Sequence, residues 1–269
     1  MHTAADRGAT PALPPITALA ALALALVLAR PARAQDTYEI QVYPSETMAP
    51  RRTMLEFHTN WTADGNRFAT EGVAPSHHAL HETLELTHGF NEWLEVGLYL
   101  FTSTQPGRGP QWVGDHIRPR VRVPPSWHWP VGVSLSSEIG YQRRGFSTET
   151  WSWEIRPIVD KQIGPLYWSF NPTIGHAFAG DSSAHGWDFA PAAALKLDVT
   201  AQVTLGVEYY AALVRLGGFD PANAQWQEIF PTVDLNVSPD WELNAGVGIG
   251  LTSATDRLLF KAIVGYRFH

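Results

Sequence analysis

Apolar and polar residues alternate along most of the chain after residue 52. In the stretch GDHIRPRVRV at residues 114–123, Ile117 and Val121 fall on one side, and Arg118 and Arg120 fall on the other. Successive side chains of a β-strand point to opposite faces, so this alternation predicts a strand with one apolar and one polar face. We find twelve such stretches and no stretch with a convincing helical period. The pattern therefore predicts an all-β fold.

The connections between the predicted strands are of two kinds. Those after odd-numbered strands are mostly long, as in residues 62–78, and those after even-numbered strands are mostly short turns. This asymmetry is typical of antiparallel up-and-down transmembrane β-barrels, and it puts both termini at the periplasmic end. The second strand is the least regular, because Glu82 falls on its apolar face, where it would lie above the apolar band or mark a bulge. The predicted strands span residues 53–61, 79–88, 93–103, 112–123, 130–142, 150–161, 166–175, 187–198, 202–213, 226–237, 241–251 and 259–268.

Tryptophan residues lie close to the predicted strand ends, some beside the long loops and others beside the short turns. The indole ring is apolar, but its N–H needs a polar partner, so tryptophan is favoured where lipid meets water. We therefore predict two aromatic girdles, one at each face of a membrane. The residues assigned to them are Trp61, Trp93, Trp112, Trp129, Trp151, Trp168, Trp187, Trp226 and Trp241.

The N-terminal residues are typical of a secretory signal peptide. Arg7 precedes an apolar run at residues 16–29, which is shorter than the roughly 20 residues of a membrane-spanning helix. An A-x-A pattern follows and predicts cleavage between Ala34 and Gln35. A signal peptide in a chain without cysteine indicates export in a Gram-negative bacterium. We assign the next segment, 35–52, to the periplasm, although it could instead fold upward into the barrel.

Composition and charge limit the kinds of molecule that this protein is expected to bind. Charged residues make up 17% of the chain, below the roughly 25% of soluble proteins, and the net charge of -7 argues against a nucleic-acid partner. No cofactor and no metal site is predicted, since His78 and His81 would point to opposite faces of a strand. The closing strand ends on Phe268, followed by His269, and resembles the assembly signal of outer-membrane barrels. The predicted location is the cell outer membrane, with lipid, the barrel assembly machinery and a small-molecule solute as partners.

A barrel with its apolar face outward has a polar lumen, and the most distinctive feature of this lumen is a ladder of three arginines on one strand. Alternate residues of a strand lie about 7 Å apart, so these guanidinium groups need carboxylates or anions beside them. The ladder is either an anion-attracting constriction or a lattice of salt bridges that stiffens the lumen. The predicted lumen-lining residues are His116, Arg118, Arg120, Arg122, Glu95, Glu138, Glu154 and Arg156.

Two other functions stay open from the residues alone. Ser134 and Ser136 face the lumen beside the strand that carries His116, and a serine next to a base is the pattern of a hydrolytic nucleophile. An outer-membrane barrel enzyme that hydrolyses lipid or lipopolysaccharide is therefore one alternative. A structural or adhesive barrel that acts through its long loops is the other.

Three stretches carry a resemblance to a known family: EIQVYPSETMAPRRTMLEFHTN (39–60), WVGDHIRPRVRVPPSWHWPVGVSLSSEIGYQ (112–142) and VGYRF (264–268). Together with the signal peptide and the twelve strands, they resemble the outer-membrane barrels of the "meta-pathway of phenol degradation" type. The resemblance implies a transporter of small, often aromatic, compounds and brings no established catalytic or binding residues. We therefore predict a channel or facilitator for small solutes, such as small aromatic or anionic compounds, and not an enzyme. The predicted barrel spans residues 53–269.

Overall fold

A computed structural model describes residues 37–184, 186–213, 216 and 218–268, which form a closed antiparallel barrel of twelve strands. Each strand pairs with its neighbours in sequence, and the last strand pairs with the first, so the predicted up-and-down barrel is confirmed. The signal peptide, its cleavage point between Ala34 and Gln35, and His269 lie outside the described residues. The strands are β1 (Thr53–Asp64), β2 (Leu80–Gly89), β3 (Leu94–Thr104), β4 (Gln111–Arg122), β5 (Gly132–Gln142), β6 (Glu149–Ile163), β7 (Leu166–Gly180), β8 (Trp187–Asp198), β9 (Val203–Ala212), β10 (Trp226–Leu235), β11 (Trp241–Gly250) and β12 (Leu258–Phe268).

Alternation along each strand separates the two surfaces of the barrel. In β12, Phe260 and Val264 are exposed on the outside, whereas Lys261 and Ile263 are buried on the inside. The same division gives most strands an outer row of exposed leucine, isoleucine, valine and phenylalanine. Closure leaves no unpaired sheet edge, so an outer surface of this composition is stable in the hydrocarbon of a lipid bilayer. Among the described residues, no helix is long and apolar enough to cross a membrane.

The irregular second strand contains no bulge along its pairing with β1 or β3. Glu82 pairs with Thr59 and Thr102 in unbroken register and faces outward. It lies two residues from Leu80, where β2 begins at the long-loop end. Of the two explanations, the structure therefore supports a carboxylate at the edge of the apolar band.

The tryptophans assigned to the girdles do not all face outward. Trp168 is half-buried on the outer face of β7, which it shares with Leu166 and Phe170. Trp226 is 3% exposed and points into the lumen, so the assignment of Trp226 to a girdle is wrong. The reason is the parity of β10, in which Trp226 shares the inner face with Glu228 and Phe230. The remaining seven are exposed at or near strand ends: Trp61, Trp93, Trp112, Trp129, Trp151, Trp187 and Trp241.

The buried core lies inside the barrel and includes part of the segment that precedes β1. Ile40 and Val42 join an apolar cluster with Tyr210 of β9 and Phe230 of β10. Tyr38 joins a second cluster against side chains of β3 and β4. Residues 38–45 therefore lie in the lumen and not in the periplasm, the location predicted for the whole segment 35–52. The inward side chains of the barrel wall satisfy the polar groups and cover the apolar side chains of these residues.

Candidate functional site

The segment inside the lumen, residues 37–49, is held by side chains of the barrel wall, and we call it the lumen segment. The Tyr43 backbone N–H donates to Asn171 Oδ1 at 2.8 Å, and the Tyr43 carbonyl oxygen accepts from Ser169 Oγ at 2.9 Å. The Ser45 backbone N–H and hydroxyl donate to the two carboxylate oxygens of Asp160 at 2.7 and 2.6 Å. These bonds from β6 and β7 replace the strand partners that an extended backbone otherwise needs.

Further hydrogen bonds to the lumen segment come from β1, β2 and β12, which are far from β6 and β7 in the strand order of the barrel. Thr83 Oγ1 of β2 donates to the Tyr38 carbonyl at 2.8 Å, and Asn60 Nδ2 of β1 donates to the same oxygen at 3.2 Å. The Lys261 ammonium of β12 donates to the Ile40 carbonyl at 3.0 Å. The lumen segment is thus bonded to strands on several sides, so it crosses the interior of the barrel.

The first arginine of the ladder is fully paired. Arg118 is 1% exposed, and its Nη2 lies 2.6 Å from Glu85 Oε1 and its Nη1 3.4 Å from Glu95 Oε1. Its Nε donates to the Tyr99 hydroxyl. Arg120 Nη2 also contacts Glu95, at 2.6 Å. These contacts form a continuous lattice of buried charge, in which the predicted partner Glu95 bridges two arginines.

The next two arginines lie progressively nearer the short-turn end. Arg120 donates to the carbonyl oxygens of Pro44 and Glu46 at 3.0 and 2.9 Å, so the lattice also holds the lumen segment. Arg122 Nε donates to the Glu92 carbonyl at 2.8 Å. The salt-bridge alternative therefore describes two of the three arginines of the ladder, and Arg122 is half-buried at the end of β4.

The other predicted lumen residues form pairs near the lumen segment. His116 Nδ1 lies 2.6 Å from Glu138 Oε1, and Arg156 contacts Glu154. The Arg156 guanidinium lies 4.7 Å from the centre of the Tyr43 ring, a cation–π distance. Tyr43, which sequence reasoning missed, thus lies between basic side chains of β4 and β6, since the Arg118 guanidinium is also 4.7 Å from its ring centre. The alternation of apolar residues in 38–43 was the only signal for it, and this alternation does not distinguish a lumen segment from a strand.

The hydrolytic dyad suggested by the sequence is not assembled. The register of β4 with β5 places His116 opposite Gly140 and Arg120 opposite Ser136. At about 3.3 Å per residue, Ser136 lies roughly 13 Å along the strand from the position facing His116, and Ser134 lies farther still. Neither hydroxyl can give up its proton directly to this imidazole.

An open cavity of about 390 Å³ lies at the short-turn end, between the lumen segment and the wall. Its lining includes Glu56, Glu85, Glu95 and residues 46–49 of the segment. A second cavity of about 310 Å³ lies at the same end, beside Lys196 and neighbouring polar residues of β8 to β11. Solutes that enter from this end therefore meet charged and polar side chains before they meet the lumen segment.

At the opposite end, hydrogen bonds join two of the long loops. Asp256 Oδ1, in the loop before β12, accepts from Ser76 Oγ at 2.7 Å and from the Asn66 backbone N–H at 3.1 Å, both in the loop after β1. Burial raises the pKa of the Asp256 carboxyl above its ordinary value. The hydrogen bonds that this carboxyl group forms between the two loops should therefore change in strength with pH.

Comparisons with known proteins give a fold relationship. No protein-family model matches the chain, and no curated protein matches it. Among solved structures, it is similar to the COG4313 outer membrane channel from Pseudomonas putida F1, with a TM-score of 0.57, 10% identity and coverage of 86% of this chain and 100% of that one. It is also similar to the KdgM porin, with a TM-score of 0.53, 8% identity and coverage of 80% and 99%. These likenesses show that the chain has the β-barrel fold of outer-membrane channels.

Proposed function

We propose that this protein is an outer-membrane channel of a Gram-negative bacterium that lets small solutes pass through a partly filled lumen. The observation that carries the proposal is a closed barrel with an apolar outer surface and a charged inner surface. Lipid surrounds such a surface, and the barrel assembly machinery would insert it. The two solved channels of the same fold support the same role.

For the solute, we propose small aromatic compounds, as the resemblance to the "meta-pathway of phenol degradation" type implies, or small anionic compounds, which the basic residues of the lumen would attract. Arg122 supports the anionic class, because it lies at the short-turn end of β4 and its Nε donates to a backbone carbonyl oxygen, that of Glu92. Among the described residues it forms no ion pair within 4.0 Å. A structure of the KdgM porin holds an oligogalacturonate, so a barrel of this fold accepts an acidic sugar.

The lumen segment sets the size of the path. Residues 38–45 lie between the strands that a solute would pass, so the open cross-section is smaller than that of an empty twelve-stranded barrel. We infer that the segment limits conductance and that weakening its anchors widens the path.

Conductance in a planar lipid bilayer tests the proposal directly. We expect the full processed protein to give small discrete steps, and the Asp160→Ala variant, which loses both bonds to Ser45, to give larger ones. Insertion is checked by heat-shifted gel mobility, which reports a folded barrel. Folded barrels of both forms that insert but do not conduct would refute the channel.

Ion selectivity tests the solute class separately. Arg122→Glu should lower the permeability of anions relative to cations, whereas the matched Arg122→Lys variant keeps the charge and should keep the selectivity. Identical selectivity in both variants would remove Arg122 from the path and remove the support for anionic solutes, without bearing on whether the barrel conducts.

A further inference from the structure

Three ionisable side chains of neighbouring strands converge on one point of the inner wall. Glu56 and His58 lie on β1 and Glu85 lies on β2, and one potential ligand atom from each lies within 4.8 Å of the others. All three side chains are buried, and His58 is 0% exposed. Glu56 and His58 are two positions apart on one face of β1, and the pairing of β1 with β2 brings Glu85, 27 positions after His58, to the same place.

Four polar atoms of this group lack hydrogen-bond partners among the described residues. Both ring nitrogens of His58 are unpartnered, as are Glu56 Oε1 and Glu85 Oε2. The nearest approach is 3.6 Å, between His58 Nε2 and Glu85 Oε2. A buried imidazole with neither nitrogen bonded is unfavourable, because it has lost its water and gained nothing in exchange.

The two carboxylates also lie directly opposite each other, since Glu56 pairs with Glu85 in the register of β1 and β2. Like charges at opposed positions of a sheet repel. Arg118 compensates one of them, through Glu85 Oε1 at 2.6 Å, but Glu56 has no basic partner within 4.0 Å among the described residues. A cation that touched Glu56, His58 and the free oxygen of Glu85 would remove both the repulsion and the missing hydrogen bonds.

We propose that Glu56, His58 and Glu85 form a binding site for one divalent transition-metal ion, with Zn²⁺ as the best match. One imidazole nitrogen and two carboxylate oxygens are a ligand set that zinc accepts, with bonds of about 2.0–2.2 Å, so the atoms need only close inward from their present spacing. Calcium and magnesium prefer oxygen ligands alone, which the buried imidazole disfavours.

The surroundings of the site fit a bound ion. Glu56 and Glu85 line the 390 Å³ cavity, so water can occupy a fourth coordination position. Thr87 Oγ1 and Arg118 Nη2 both donate to Glu85 Oε1 at 2.6 Å and fix the orientation of that carboxylate. Glu95 pairs with the nearest arginines, which reduces their repulsion of a cation.

The test is a zinc titration of the full processed protein, purified without a histidine tag and stripped with a chelator. We expect one Zn²⁺ per chain by calorimetry and by metal analysis after desalting. Glu56→Gln and His58→Gln should each weaken binding by about tenfold or more. Glu228→Gln is the matched control, because Glu228 is equally buried with both oxygens unpartnered but lies on β10.

The two adjacent histidines of the loop after β1, half-buried His77 and exposed His78, need their own control. His77 and His78 stack with their ring centres 3.9 Å apart and could capture zinc at the surface. If His77→Gln abolishes zinc binding while His58→Gln retains it, the proposal is overturned. Wild-type protein that binds no zinc also overturns it.

A spectroscopic measurement on the wild-type protein covers the case in which the variants do not fold. Cobalt(II) in place of zinc should give a visible absorption band of a four-coordinate nitrogen and oxygen site, and added zinc should bleach it. Cobalt that shows only the spectrum of the hydrated ion would overturn the proposal. Neither result depends on whether the barrel conducts solutes.

Discussion

The two hydrogen bonds between Ser45 and Asp160 allow the stability of the lumen segment to be predicted. Both bonds, at 2.7 and 2.6 Å, go to the buried side-chain carboxyl group of Asp160. A hydrogen bond to a charged group contributes about 1.5–3 kcal/mol, so Ser45→Ala, which removes only the hydroxyl bond, should destabilise the seated segment by that amount. Asp160→Ala removes both bonds and should cost about 3–6 kcal/mol.

The absence of cysteine in the chain provides the assay. A Val42→Cys substitution places one thiol at a position that is 6% exposed and packed in the lumen cluster, so a soluble maleimide reacts only when the segment leaves its seat. Each 1.4 kcal/mol changes the open population about tenfold. Ser45→Ala should therefore speed labelling on the order of 10- to 100-fold, and Asp160→Ala more, up to the rate of an exposed thiol.

A neighbouring residue on the same strand provides the matched control. Gln162 also lies on β6, but its amide donates to the Gly164 carbonyl and to Asp198, and not to the lumen segment. In a Val42→Cys protein that also carries Gln162→Ala, maleimide should label the thiol at the same rate as in the Val42→Cys protein alone. If folded Asp160→Ala protein also labels at that rate, these bonds do not hold the segment, and the reasoning from the structure fails.

Three further predictions concern the wall and the loops. Arg118→Met removes a positive charge from the buried carboxylates of Glu85 and Glu95 and should destabilise the barrel by about 3–5 kcal/mol. A lower urea midpoint in lipid vesicles would show this loss, and an unchanged midpoint would count against the lattice. Leu98→Arg puts a charge on the exposed outer face of β3 and should cost about 2–4 kcal/mol in the same assay, and no cost would argue against a lipid-facing surface. Burial raises the pKa of Asp256 in the folded loops, so the folded state binds more protons between the ordinary and the raised pKa, and the stability of the long-loop end should fall as pH rises through that window. Proteolysis of the loops as a function of pH should show this loss, and Asp256→Asn should flatten it.

The sequence was sufficient for the barrel wall because the wall obeys a local rule. The alternation of Ile117 and Arg118 in β4 needs only the geometry of an extended chain, and it locates the strand without knowledge of any partner. The error at Trp226 came from applying a different rule, nearness to a strand end, without the parity that Glu228 fixes for β10. Where both rules are applied together, as at Trp61 on β1, the exposed position follows from the sequence.

The interior could not be predicted in the same way, because its contacts join residues far apart in the chain. Ser45 and Asp160 are 115 positions apart, and their pairing depends on the register of all the strands between them. The arginine ladder illustrates the consequence. Taken alone, Arg120 predicts an attraction for anions, but in the barrel it donates to the Pro44 and Glu46 carbonyl oxygens.

The basic residues of the lumen and the segment inside it therefore explain each other. A lumen of twelve strands is wider than its own side chains can fill, and Ile40 and Val42 occupy part of that space as an apolar core. Their backbone carbonyls and those nearby must then be satisfied away from water, and Arg120 and Lys261 supply the donors. A lumen rich in buried basic residues is therefore a sign of a polypeptide inside the barrel. Arg122 contacts neither a carboxylate nor this segment among the described residues, and a basic residue of that kind remains a candidate for contact with a solute.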